Sequence, residues 1–260
     1  MKQLTADICR LVRRCGSFIK NADRSDMDVS SKEGKGNFVT NYDKKVQEML
    51  REGLLKLVPD AGFIGEEGEQ EQFSDKGRFF IVDPIDGTTN FIRDRRCSCI
   101  SVALAEDGEI VLGVVYDPYH REMFRAEKGK GAYLGRRRLS VSPLSLKDGL
   151  VLFGSTPYLE DLCRETFRLA YAYTRRAGDI RRSGSAALEL CSIAAGKAEL
   201  FFELRLSPWD YAAGSLILTE AGGLISDING APLRFDRPCS VLASNRAAAN
   251  EAFPLPETVL

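Results

Sequence analysis

Apolar residues recur at helical spacing from the first turn of the chain. Leu4, Ile8, Leu11, Val12, Cys15, Phe18 and Ile19 form one stripe, which predicts an amphipathic helix over about the first 20 residues. The stretch from Asn21 to Asn37 is polar and holds Lys32, Gly34, Lys35 and Gly36, the composition of a loop. Its lysines read most simply as solvated; a basic flap over an anionic substrate is the sharper alternative. Phe38-Val39-Thr40-Asn41-Tyr42-Asp43 follows, with Asp43 placed to cap a helix whose buried stripe is Val46, Met49, Leu50, Leu54 and Leu57. Ala61 to Gly65 reads as a short buried strand that ends on Glu66-Glu67, neighbours whose side chains point to opposite faces in extended geometry. Phe79-Phe80-Ile81-Val82 is a second buried strand, delivering Asp83 at its end. Pro84 has no N–H for a ladder, so pairing is expected to stop there and leave Asp86 on a turn.

From Cys99 to Val141 the pattern changes to strands and turns. Ile100–Leu104 and Ile110–Val115 flank Glu106-Asp107-Gly108, a hairpin signal. Further strands are expected near Glu122–Ala126, Gly131–Leu134 and Arg138–Val141, making an antiparallel sheet. After Pro143 a strand at Leu150–Phe153 leads to a helix with Leu162, Phe167 and Leu169, and Ile180 ends another short strand. Ala186 to Ala195 is an apolar helix, and Leu200-Phe201-Phe202 is a strand that ends at Glu203. Trp209-Asp210-Tyr211 opens a helix that runs through Ala221 until Gly222-Gly223 stops it. The class is α+β, in two parts: residues 1–141 as an N-terminal half with the acidic motifs, and 142–260 as a C-terminal half that completes the site.

Composition excludes several functions. A formal net charge of −1 offers no field for nucleic acid, and no apolar run approaches the roughly 20 residues of a membrane span. The segment after Met1 is charged and amphipathic, unlike a signal-peptide core. Seven cysteines with scattered spacing read as reduced thiols of a cytoplasmic protein. A single histidine, His120, rules out a zinc site built on several histidines; it reads as structural or solvated. No P-loop, G-x-G-x-x-G or G-x-S-x-G occurs. Any catalysis falls to carboxylates and hydroxyls.

Acids stand at element ends: Glu66, Glu67, Asp83, Asp86 and Asp210. Each has an ordinary structural role open to it, Asp210 as a first-turn acid and Asp83/Asp86 as turn caps. If they met in space, an oxygen-only cluster would suit Mg²⁺, and the Gly87-Thr88-Thr89 turn beside it could receive a phosphate.

Four segments are similar to motifs of the inositol monophosphatase family: Gly65-Glu66-Glu67, Asp83-Pro84-Ile85-Asp86-Gly87-Thr88-Thr89-Asn90-Phe91, Trp209-Asp210-Tyr211-Ala212-Ala213-Gly214, and the weaker Phe38-Val39-Thr40-Asn41-x-Asp43. Gly129-x-Gly131-Ala132 and Glu220-Ala221-Gly222-Gly223 also fit, so the resemblance covers nearly the whole chain. It implies a layered αβαβα sandwich, a homodimer, and Mg²⁺-dependent, lithium-sensitive hydrolysis of a phosphate monoester with two or three ions. Carried over by motif, Glu66, Asp83, the Ile85 carbonyl, Asp86 and Asp210 would be metal ligands, with Glu67 acting through water. Thr88, polarised by Asp43, would orient the nucleophilic water together with Glu66. The Gly87 and Thr88 amides would hold the phosphate. Gly184, Ser185, Ala186 and Glu203 would face the substrate's hydroxyls, and Asp210 would lie beside the leaving oxygen. For Glu203 an ordinary strand-end acid is an equal alternative.

Departures from the family pattern bear on substrate. Asn37 stands where the family often has Asp, and Arg93 and Arg96 replace a common His and Pro, with Arg95 between them. A solvated turn or subunit contact is the plain reading; an arginine reaching a second anionic group is the sharper one. The substrate expected is inositol monophosphate or a related sugar or polyol phosphate. Fructose-1,6-bisphosphatase, histidinol-phosphatase and 3′-phosphoadenosine 5′-phosphate phosphatase activities are the alternatives. A regulatory binder of the transcription machinery is a reading of another class. The small basic patches Arg136-Arg137-Arg138 and Arg181-Arg182 read as solvated faces, so nucleic acid is not the expected partner.

Overall fold

The computed structural model describes residues 1–32, 37–68, 71 and 73–252. Gly34, Lys35 and Gly36 of the basic loop lie outside the described residues.

Helix α1 (Lys2–Lys20) and a short strand β1 (Val29–Ser31) are followed by β2 (Phe38–Thr40) and α2 (Asn41–Leu57). Then come β3 (Gly62–Gly65), β4 (Arg78–Asp86), the short α3 (Thr88–Ile92), β5 (Cys99–Glu106), β6 (Glu109–Asp117), β7 (Glu122–Glu127), β8 (Ala132–Leu134) and β9 (Arg137–Arg138). The rest of the chain contributes β10 (Leu150–Phe153), α4 (Glu160–Thr174), β11 (Asp179–Arg181), α5 (Ala186–Ala194), β12 (Leu200–Leu206), α6 (Pro208–Glu220), β13 (Leu224–Ser226), β14 (Cys239–Ser244) and α7 (Arg246–Ala252).

Seven strands form one sheet in chain order, β3 to β9. Only β3 and β4 pair in parallel; the remaining pairs are antiparallel, as the hairpin signals require. A five-stranded sheet has the order β11-β10-β12-β14-β13, with β10 parallel to β11 and β12.

Alternation along the strands dictates the layering. Phe80 and Val82 of β4, Ile100, Val102 and Leu104 of β5, and Leu112 and Val114 of β6 pack against Ile8, Val12, Cys15, Val46, Leu50 and Leu54 of α1 and α2. Their neighbours Ile81, Ala103 and Val115 face the other way, onto α5 and α6. Both faces of this sheet are covered, which is why its strands read as continuous apolar runs. The opposite side of α5 and α6 meets Leu152, Phe201, Val241 and Ala243 of the smaller sheet. The far face of that sheet (Val151, Phe153, Phe202, Leu242) is closed by α4 and α7 through Leu169, Tyr173, Ala248 and Ala252. The order is therefore helices, sheet, helices, sheet, helices. Sandwiched between two sheets, α6 is buried from Tyr211 to Leu218 without a polar stripe.

The structure departs from the sequence expectation at several points. Strand β4 does not stop at Pro84: Asp83 pairs with Ser101 and Asp86 with Cys99, with a bulge between them that absorbs the missing N–H. Asp86 is thus in the strand, not on a turn. The cap of α2 is Thr40, and Asp43 is its reciprocal partner in a capping box. Leu57, expected in the buried stripe of α2, is exposed. The strand expected at Arg138–Val141 is confined to Arg137–Arg138, while β1, in the supposed loop, pairs with β2.

Gly113 of β6 is where sheet and middle helix touch. A Cβ there would lie 2.6 Å from the Ala213 carbonyl oxygen of α6. Gly113→Ala is expected to displace α6 and cost about 1–3 kcal/mol in urea denaturation; unchanged stability would show that the layers are not in close contact here.

Candidate functional site

The acids expected to converge are placed by two elements that meet end to start. The end of β4 carries Asp83 and Asp86; the first turn of α6 carries Asp210. One carboxylate oxygen from each of the three lies within 4.8 Å of the others. Each is held locally. Asp83 Oδ1 accepts from the Ile85 N–H at 2.9 Å. Asp86 Oδ2 accepts from Ser185 Oγ at 2.6 Å and from the Ala187 N–H at 2.8 Å, at the start of α5. Asp210 Oδ2 accepts from the Ser207 N–H at 2.7 Å, so the first-turn role and the cluster role coexist.

Glu66 and Glu67 follow the end of β3, and the chain bends there instead of staying extended. Their carboxylates therefore do not diverge: Lys32 Nζ lies 2.8 Å from Glu66 Oε1 and 2.5 Å from Glu67 Oε1. Burial alone would lower the Lys32 pKa, but the two glutamates outweigh it and raise it. This lysine is neither simply solvated nor free over the cleft. Gln47 clasps the backbone of Glu67 from α2, accepting its N–H at 2.9 Å.

Thr88 sits just after the β4 bulge. Its Oγ1 donates to Asp43 Oδ1 or to the Ile85 carbonyl, both at 3.1 Å. Asp43 is fully buried, and its other oxygen accepts the Thr40 N–H at 2.8 Å. Gly87 makes the turn with φ 88°, a left-handed conformation, packed against the Cys97 and Gly184 carbonyls. Asn90 staples the same loops by donating from Nδ2 to the Cys97 and Ser183 carbonyls, each at 2.8 Å.

A cleft of about 500 Å³ opens above this floor. Glu66, Asp86, Gly87, Thr88 and Asp210 line one part of it, and Gly184, Ser185, Ala186 and Glu203 another. Asp43, Glu67, Asp83 and Ile85 lie behind the lining. Arg93, Arg95 and Arg96 are exposed and do not line the cleft. His120 is likewise peripheral, its Nδ1 2.8 Å from Asp117 Oδ2. Sequence reasoning passed over Tyr158, Arg182, Glu189 and Arg205, of which Arg182 was assigned to a solvated patch; all four line the cleft.

The electrostatics of the floor are adverse. Burial, then repulsion from the neighbouring acids, drives Asp83 and Asp210 well above the usual carboxylate range. Burial also raises Asp86 against its hydrogen bonds, takes Asp43 to about 6, Glu189 to about 7 and Glu203 to about 8. None of Asp83, Asp86 and Asp210 has an ion-pair partner among the described residues. The donor set is oxygen alone and short of positive charge, which fits hard divalent cations.

The sign of the pH dependence follows. A carboxyl with a raised folded pKa contributes stability below its unfolded pKa and loses it as pH rises through the folded value. For Glu203 that window runs from 4.5 to about 8. Glu203→Gln is expected to flatten the fall in Tm of the metal-free protein across this range, measured by calorimetry in chelator; an unaltered slope would place Glu203 in water.

The inositol monophosphatase family model matches residues 1–255. The chain is similar to the Nus factor SuhB of Escherichia coli, 37% identical over 223 residues that cover 85% of this chain and 84% of that one. It is similar to the inositol-1-monophosphatase of Rhizobium meliloti, 42% identical over 207 residues, 79% of this chain and 77% of that one. Among solved structures the Thermotoga maritima IMPase superposes with a TM-score of 0.85 at 33% identity, covering 96% of this chain and 95% of that one. On these grounds, and with its acidic floor beside the Thr88–Asp43 pair, the chain belongs to the inositol monophosphatase family.

Proposed function

We propose that this chain is a phosphoric monoester hydrolase that releases phosphate from inositol monophosphate or a related sugar or polyol phosphate, in a reaction that requires Mg²⁺. The observation that carries the reading is the oxygen-only cluster of Asp83, Asp86 and Asp210 beside a threonine hydroxyl already bonded to a buried carboxylate.

Glu66, Asp83, the Ile85 carbonyl, Asp86 and Asp210 would hold two or three ions, with Glu67 acting through water. Bound there, the cations would neutralise the phosphoryl charge and favour ionisation of the attacking water. The chain's own groups do the positioning. While Thr88 Oγ1 donates to Asp43, its lone pairs are left to accept a hydrogen bond from water, which aims that water at phosphorus. Thr40 keeps Asp43 in register for this task, through its N–H and its hydroxyl. Glu66 would orient the same water together with Thr88. The Gly87 and Thr88 amides would receive the phosphate oxygens. Glu203, with Gly184, Ser185 and Ala186, would meet the substrate's hydroxyls, although the Ser185 side chain is already engaged with Asp86. The alternatives fructose-1,6-bisphosphatase, histidinol-phosphatase and 3′-phosphoadenosine 5′-phosphate phosphatase share this chemistry and differ only in what the far wall recognises.

A homodimer in the cytoplasm is the assembly and compartment we propose. The seven free cysteines support a reducing compartment, and no described helix is long and apolar enough to cross a membrane. A second reading, a regulatory role in transcription, is favoured by the likeness to a relative named a Nus factor. The formal net charge of −1 weighs against RNA as its direct target.

Phosphate release over a panel of inositol 1-phosphate, fructose 1,6-bisphosphate, histidinol phosphate and adenosine 3′,5′-bisphosphate tests the proposal. Turnover is expected only with Mg²⁺, inhibited by Li⁺, and reduced about 100-fold or more by Asp86→Asn. Thr88→Ala is expected to lose about 100-fold or more in kcat while Mg²⁺ still binds. Absence of turnover from folded protein on every substrate would shift the assignment to the transcriptional reading.

A further inference from the structure

The far wall of the cleft carries charge that a neutral polyol does not use. Three cationic side chains line the cleft among the described residues: Lys32, Arg182 and Arg205. Lys32 is committed to Glu66 and Glu67. Arg182 stands in the field of Glu203, whose raised carboxyl pKa it opposes. Arg205 makes no ion pair among the described residues. Its backbone carbonyl accepts from Thr156 Oγ1 at 3.5 Å, which steadies the base of the side chain and leaves the guanidinium exposed.

Its place in the cleft is set by the strand. Phe201, Glu203 and Arg205 of β12 line the cleft, while Phe202 and Leu204 between them pack on the opposite face, against the α4 side. Arg205 lies two residues beyond the acid assigned to substrate hydroxyls and lines the same cleft, as does Leu206, because β12 is irregular between Glu203 and Leu206. Tyr158 lies on the adjoining wall, within electrostatic reach of Asp210, Glu203 and Arg205.

We propose that Arg205, with Arg182 beside Glu203, recognises a second anionic group on the substrate, a phosphate or a carboxylate set away from the ester that is cleaved. This deepens the phosphatase reading and rests on it. The preferred substrate is then a phosphate monoester whose skeleton presents hydroxyls to Glu203 and an anion to the guanidinium. A planar fork of N–H donors matches such an oxyanion in a way that a solvated lysine does not. Cations held by the acidic floor would take the charge of the reacting phosphate, which leaves Arg205 for a different anion.

The test compares pairs that share a skeleton. Fructose 1,6-bisphosphate against fructose 1-phosphate gives the phosphate arm; 6-phosphogluconate against glucitol 6-phosphate gives the carboxylate arm. The wild-type ratio of kcat/KM is expected to favour the doubly anionic member of at least one pair, and that arm names the anion. Arg205→Ala is expected to cut this ratio about tenfold, through KM and not kcat, with Arg205→Lys recovering part of it. A ratio is insensitive to any loss of folded enzyme. A ratio that Arg205→Ala leaves unchanged, or a wild-type enzyme indifferent to the second anion in both arms, overturns the proposal while leaving the phosphatase reading intact. Absence of Mg²⁺-dependent turnover on all four substrates overturns the proposal, and it overturns the phosphatase reading as well only when inositol 1-phosphate is not hydrolysed either.

Discussion

Mutual repulsion among buried carboxylates is the constraint around which the rest of this structure is arranged. Two like unit charges 4 Å apart interact by about 4 kcal/mol at the effective dielectric of a partly buried site. Three such pairs would oppose folding by about as much as a typical domain's whole net stability of about 5–15 kcal/mol. One oxygen from each of Asp83, Asp86 and Asp210 is held within 4.8 Å of the others, and burial with this repulsion raises their pKa values, which favours protons on the metal-free cluster. A fold that tolerates this gains a place where divalent cations are strongly favoured.

The five-layer arrangement makes the crowding unavoidable. Strand β4 lies inside the larger sheet, covered on both faces, and cannot shift its register without turning Phe80 and Val82 out of one core and Ile81 out of the other. Helix α6 lies between the two sheets and is apolar all round, so it cannot rotate Asp210 away without exposing buried surface. Local hydrogen bonds then fix each carboxylate: the Ser185 hydroxyl and Ala187 amide on Asp86, the Ser207 amide on Asp210, and the Ile85 amide on Asp83. The same Asp86 contacts tie the start of α5 to the end of β4, so the wall that would bind the substrate's hydroxyls is positioned by a residue of the metal floor.

Much of this was legible in the chain because it depends on local pattern. Strand β4 read as a buried strand because both its faces are covered, and the start of α6 because Asp210 is a first-turn acid. The convergence of the acids came from motif resemblance, since nothing in local periodicity brings residues 83 and 210 together. What stayed hidden depends on partners far along the chain. The bulge at Pro84 exists because Cys99 supplies a second pairing site beyond it. Asp43 closes the α2 capping box on Thr40 with one oxygen and accepts from Thr88, 45 residues away, with the other, a second role that local pattern does not show. Glu66 and Glu67 share Lys32 because the chain bends after Gly65, which extended geometry did not anticipate. Charge placement misled in the other direction: the arginine run Arg93 to Arg96 was prominent in the sequence yet lies outside the cleft, and the isolated Arg205 lies inside it.

The most direct measurement is calorimetric titration of Mg²⁺ into the metal-free protein at pH 7, repeated in buffers of different ionisation enthalpy. If buried, mutually repelling carboxyls hold protons until cations arrive, binding must release protons, and the observed heat must change with the buffer. The same binding should vanish in Asp86→Asn. Saturable Mg²⁺ binding with a heat independent of buffer would contradict the account, because the cluster would then already be ionised; no binding at all would remove the cluster as a cation site.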